Sequence, residues 1–85
     1  MKIKTINGKS NIIGGNLKKY RLEKEYTQRL LCEKLELLGV TMYHTDIGAI
    51  EHFRKTERDF EVKAFCKVLN ITLEQLYEGT EKEYE

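Results

Sequence analysis

The segment TQRLLCEKLELLGVTMYHTDIGAIE, residues 27–51, carries the periodicity that decides the fold. Thr27 is a good N-cap, because its hydroxyl can accept a backbone N–H from the next turn. Behind it Leu31, Leu35 and Leu38 recur at helical spacing, with Cys32 beside them. Gly39 then supplies a left-handed helix stop. After Val40-Thr41-Met42 a second stripe runs Tyr43, Ile47, Ile50 and ends near His52-Phe53. The segment predicts two helices, near 28–38 and 43–52, joined by a short connection.

Upstream, Ile13, Leu17 and Tyr20 share one helical face, which predicts a helix over 11–24. Gly14 and Gly15 weaken its start, and Glu25-Tyr26 marks its exit. Downstream, the polar loop Arg54-Lys55-Thr56-Glu57-Arg58 leads to Asp59, read as the cap of a helix over 59–69. That helix turns Val62, Phe65, Cys66 and Leu69 inward, and Asn70-Ile71 turns the chain. Thr72-Leu73-Glu74-Gln75 is a capping-box pattern opening a last helix over 73–78, with Leu73, Leu76 and Tyr77 apolar and Gly79 ending it. The expected fold is all-α, a compact five-helix domain. Its expected core is Ile13, Leu17, Tyr20, Leu31, Cys32, Leu35, Ile47, Ile50, Val62, Phe65, Cys66, Leu69, Ile71 and Leu76.

Charge divides the chain unevenly. Residues 1–26 carry seven Lys or Arg against two Glu, residues 27–71 balance, and residues 72–85 carry one Lys against five Glu. A local positive field can therefore exist although the whole chain is only +1. Residues 1–10 read as a flexible basic arm, 11–79 as the domain and 80–85 as a frayed acidic tail. Cys32 and Cys66 lack metal-ligand spacing and read as free, buried thiols. A signal-peptide or membrane-spanning apolar run is missing, so a cytoplasmic protein with reduced thiols and no membrane partner is expected.

The series Ile13-Gly14-x-Asn16-Leu17-Lys18-Lys19-Tyr20-Arg21-x-Glu23-Lys24, then Thr27-Gln28, Leu31-Cys32-x-x-Leu35 and Ile47-x-x-Ile50-Glu51, resembles the Cro/repressor (XRE-type) helix-turn-helix family. Asp59-Phe60-Glu61-Val62 and Val68-Leu69-x-Ile71-Thr72-Leu73-x-x-Leu76 continue the resemblance, which spans about residues 11–78. The stretch from Thr27 to Glu51 is about five residues longer than the family's commonest spacing and resembles a subgroup with a longer turn. A register that takes Gly39-Val40-Thr41 as the ordinary turn would face Thr45 into the core, and is rejected.

The resemblance implies a repressor-like DNA-binding regulator of bacterial or phage type, its third helix lying in the major groove of double-stranded DNA. An α-helix fits that groove, where base edges present a readable code. The outward face of the third helix would then be Tyr43, His44, Thr45, Asp46, Gly48 and Ala49. Of these His44, Thr45 and Asp46 would meet base edges, while Gly48 and Ala49 would allow close approach. Gln28 and Arg29 at the start of the second helix, and Arg54 and Lys55 after the third, would hold phosphates. The resemblance further implies a structural ion pair between Arg21 and Glu51.

That outward face carries no Arg, Lys, Asn or Gln, the side chains suited to bidentate base contacts. The alternative is therefore a helix-turn-helix-derived protein-interaction module, antitoxin-like or a regulatory partner. A homodimer would double the base pairs read, with Phe53, Tyr77 and Tyr84 as candidate apolar anchors. No phosphate loop or paired carboxylate frame suggests an enzyme, and His44 and His52 are too far apart in sequence to share a helix face well. No cofactor, metal or small-molecule ligand is signalled.

Overall fold

Helices α1 (Gly14–Glu23), α2 (Gln28–Glu36), α3 (His44–Glu51), α4 (Asp59–Leu69) and α5 (Leu73–Leu76) follow one another, and a 3-10 helix, Thr80–Tyr84, closes the chain. The computed structural model describes residues 4–85. Among them the one β-type pairing is an isolated bridge between Ile6 and Lys9. The domain is compact and all-α, with a radius of gyration of 12.4 Å, against about 12 Å for a compact chain of this length. No helix among the described residues is long and apolar enough to cross a membrane.

Local chemistry explains most boundaries. Leu30 N–H donates to Thr27 Oγ1 at 3.0 Å and starts α2. Thr72 and Gln75 exchange backbone-to-side-chain bonds of 2.8 and 3.0 Å and start α5. Asn70 ends α4 with φ 54°, the left-handed conformation that asparagine tolerates. The start of α4 differs from expectation. Asp59 is already helical, and Glu61 Oε1 instead accepts from Arg58 N–H at 2.7 Å.

The core gathers Ile13 and Leu17 of α1, Leu31 and Leu35 of α2, Ile47 and Ile50 of α3, Phe65 and Leu69 of α4 and Leu76 of α5, all fully buried. Each such side chain contributes about 1.5–3 kcal/mol by leaving water. Three residues of the apolar stripes that lie outside the expected core point out, Tyr43 among them as its place on the outward face of the third helix requires. Tyr43, Leu38 and Leu73 are exposed, and Cys32 and Ile71 are only half-buried. The reasons are local. Helix α2 stops at Glu36 before Leu38, and Tyr43 is extended ahead of α3, so Tyr43 faces outward and Met42, outside the expected core, turns inward. In α5 the short helix turns only Leu76 inward, leaving Leu73 outside.

Gly14 has a role the sequence did not signal. It is buried where the start of α1 meets the end of α3, and a Cβ there would collide with the Ile50 carbonyl oxygen. Asn11 locks this contact. Its Oδ1 accepts from Gly14 N–H at 2.8 Å, and its Nδ2 donates to the carbonyls of Ile50 at 3.0 Å and Lys55 at 2.8 Å.

The two chain ends also differ from the expected arm and frayed tail. Ile6 and Lys9 exchange backbone hydrogen bonds of 2.9 and 2.8 Å. Asn7 Nδ2 donates to the Glu83 carbonyl at 2.8 Å, and Lys9 Nζ pairs with Glu83 Oε2 at 2.8 Å. Thr80 and Glu83 of the 3-10 helix are buried. One lysine of the basic segment and one glutamate of the acidic segment, at opposite ends of the sequence, thus pair in the fold. Residues 1–3 of the expected arm lie outside the described residues.

Gly14 and the exposed Gly15 beside it make a controlled comparison. Gly14→Ala should lower stability by about 2–3 kcal/mol, because the obstructing atom is backbone. Gly15→Ala meets only the Phe53 ring, at an ordinary 3.5 Å, and should gain about 0.5–1 kcal/mol from helix propensity. Urea unfolding of the two variants measures both.

Candidate functional site

Arg21 stands on the inner edge of α1, and Glu51 is the last residue of α3. Arg21 Nε donates to Glu51 Oε2 at 2.6 Å and Nη2 to Oε1 at 3.0 Å, a bidentate bond between two buried residues. The third guanidinium nitrogen, Nη1, donates to the Tyr26 carbonyl at 2.8 Å and so holds the α1–α2 turn. Gln28, the first residue of α2, donates from Nε2 to Glu51 Oε1 at 3.1 Å. One carboxylate therefore joins the end of α1, the start of α2 and the end of α3.

This arrangement commits the Gln28 amide nitrogen inward, where the sequence placed it on a phosphate. The Gln28 amide also lies over Gly48 of α3, 3.5 Å from where a Cβ would stand. The start of α2 retains the exposed Arg29 side chain and the backbone N–H groups of Gln28 and Arg29, which have no intrahelical acceptor, the Leu30 N–H being taken by Thr27.

The face of α3 turned away from the core carries exposed Thr45 and half-buried His44, Asp46, Gly48 and Ala49, with exposed Tyr43 just ahead. Asp46 is not the free anion expected. Its Oδ2 accepts from Tyr43 N–H at 2.9 Å, capping α3, and its Oδ1 pairs with Lys55 Nζ at 2.6 Å. The Lys55 ammonium, followed by the Tyr43 amide, holds the Asp46 carboxyl below the usual carboxylate range. Spacing alone separates Lys55, a phosphate contact, from Asp46, a base contact, whereas the fold brings them together. Arg54 remains exposed, with no side-chain partner among the described residues. His52 is exposed, its Nδ1 2.8 Å from the Gly48 carbonyl.

Phe53, two residues past the end of α3, lies in the left-handed region at φ 63°, while Arg54 N–H reaches back to the Ala49 carbonyl at 2.8 Å. A bulky residue in this conformation needs compensation from its surroundings. Lys9 Nζ sits 4.7 Å from the Phe53 ring centroid, and Ser10 N–H donates to the Phe53 carbonyl at 2.8 Å. Phe53 is therefore half-buried against its own chain, and Tyr77 is half-buried against the core, so of the three expected dimer anchors only Tyr84 is exposed. Both cysteines are free, and burial pushes both thiols up. Cys32 is half-buried rather than buried.

Asn11, Gly14 and Met42 bear on this site, and only Asn11 had a local signal, an asparagine three residues before a helical glycine. No family model matches the chain, and no curated protein or solved structure does so either.

Glu51→Ala should cost about 3–5 kcal/mol, because it leaves the Arg21 guanidinium buried without its partner. Chemical denaturation reads this directly, and an unchanged midpoint would deny the pair its structural role. Glu57 offers a separate pH test. One of its oxygens is buried without a partner among the described residues. Burial, aided by Glu61, raises its carboxyl above the usual value. A raised acid favours the folded state only while protonated, so its contribution is lost as pH rises from the unfolded value through the folded one. Glu57→Gln should therefore raise the melting temperature at neutral pH, with the gain fading as pH falls and absent below about pH 4, where the carboxyl is protonated in both states.

Proposed function

We propose that the chain is a sequence-specific DNA-binding transcriptional regulator of the Cro/repressor (XRE) helix-turn-helix type, with α3 entering the major groove of double-stranded DNA. The observation that carries this reading is the buried Arg21–Glu51–Gln28 network. It holds α3 rigidly against the start of α2 while the N-terminal half of α3 faces solvent, with the cations Arg29 and Arg54 exposed. A groove-reading helix needs such a fixed pose, because phosphate contacts set register and base contacts then discriminate.

In this reading Arg29, Arg54 and the free N–H groups at the start of α2 hold phosphates, and His44 and Thr45 meet base edges. Asp46 and Lys55 act as a unit. Their pairing removes most of the repulsion an isolated carboxylate on this face would exert on the backbone. Two copies on half-sites about 34 Å apart would double the sequence read. The protein-interaction alternative draws on the short, near-neutral character of the Gly48–Ala49 part of the face.

Fluorescence anisotropy with random and selected duplexes over a salt series tests the assignment. Arg54→Ala should weaken binding to all sequences alike and lower the salt slope by roughly one unit. Thr45→Ala should change base preference by about 1–3 kcal/mol at one position. Asp46→Ala frees Lys55 and should tighten binding to random duplex. If the parent chain binds random duplex without salt dependence, the interaction-module reading replaces this one.

A further inference from the structure

The outer face of α4 carries an apolar groove that DNA binding does not use. Phe60, Lys63, Ala64 and Lys67 recur at i, i+3, i+4 and i+7 and form one stripe. With Leu38 and Val40 from the α2–α3 connection they line a groove of about 350 Å³. A second hollow of about 470 Å³ adjoins it at Phe60 and Lys63 and runs to Leu73 and Tyr77 of the α5 region. Phe60 is 55% exposed, Leu73 54% and Leu38 42%. Large apolar side chains gathered in this way mark an interaction surface more often than singly scattered ones do.

Charge decides what fits. The groove beside Ala64 has Lys63 and Lys67 on its rim and no acidic residue in its lining. Asp59 is the one acid lining the adjoining hollow. A second copy docked across a two-fold axis on the groove would set these lysines against their own counterparts, an unfavourable like-charge contact. A partner with apolar anchors and acidic flanks meets both features at once. From Phe60 to Lys67 the stripe spans about 10 Å, or two helical turns. That length suits a short helix presenting two anchors four residues apart.

We propose that the Leu38–Phe60–Ala64 groove docks an acidic amphipathic helix of a partner protein, with Lys63 and Lys67 pairing with its carboxylates. This proposal does not rest on the DNA-binding reading, because the groove and the outward face of α3 share no residue.

The test uses the isotope-labelled full chain and two synthetic amphipathic helical peptides of about four turns. They have identical Leu and Phe anchors and either Glu or Lys at every polar position. The Glu peptide should shift the amide resonances of Leu38, Val40 and Phe60 to Lys67, and bind at least about tenfold more tightly than the Lys peptide. Phe60→Ser should weaken the Glu peptide by about tenfold. The double variant K63E/K67E should reverse the preference toward the Lys peptide. All three residues are exposed, so melting temperatures should match the parent and exclude misfolding as the cause. Equal binding of the two peptides, or resonance shifts elsewhere, would overturn the proposal. Self-association of the chain that Phe60→Ser abolishes would name a second copy as the occupant. Loss of duplex binding in K63E/K67E without a change in peptide preference would make the lysines phosphate contacts.

Discussion

The Arg21–Glu51 pair is the constraint around which the other contacts of this small domain arrange themselves. Burying two charges costs several kcal/mol per ion before any attraction is counted. Here nearly every polar atom of the pair is answered. The guanidinium donates to both carboxylate oxygens and to the Tyr26 carbonyl, and Gln28 adds a further donor to Glu51. Apolar side chains of similar volume could match its net stability, but they would not specify an angle. A planar fork against a carboxylate does, and it does so where three helix ends converge. Apolar burial supplies most of the cohesion, and the ion pair sets the relative pose of α1, α2 and α3.

A second junction lies at the same end of α3. Asn11 bridges the α1 start, the Ile50 carbonyl and the Lys55 carbonyl, and Gly14 lets the backbones approach. Behind it lies the clasp of Asn7 and Lys9 with Glu83, which bears on the left-handed Phe53 through the Lys9 ammonium and the Ser10 amide. Phe53 immediately precedes Arg54. The path of the loop after α3 is therefore set by residues from both ends of the chain, and the exposure of Arg54 is a consequence of that path. Loss of the clasp would act on this loop before it acted on the core.

The electrostatic pattern follows the same logic. A chain of net charge +1 has little long-range field. What matters is which charges remain unpaired near α3. Lys9 is taken by Glu83 and Lys55 by Asp46, whereas Arg29 and Arg54 stay exposed. The outward surface of α3 is consequently close to neutral, with cations at its margins. Lys63 and Lys67 stand on a different face, on α4, and serve the apolar groove there.

The sequence by itself determined the features that a few neighbouring residues control. Helical periodicity located all five helices and most of the core, from Ile13 and Leu17 to Leu76. The caps at Thr27 and at Thr72 with Gln75 were legible because their bonds close within three residues. Pairing of Arg21 with Glu51 could be anticipated only through the family resemblance, since no local signal joins residues thirty apart. Tertiary structure decided the rest. The collision that forbids a side chain at Gly14 involves a carbonyl of α3, and Glu83 meets Lys9 across almost the whole length of the chain. Met42, outside the expected core, is buried because α2 ends early and the connection turns before α3 begins. Asp46 and Lys55 neutralise one another because the loop folds back along α3. Each of these depends on where distant backbone passes, and composition and spacing carry no record of that path.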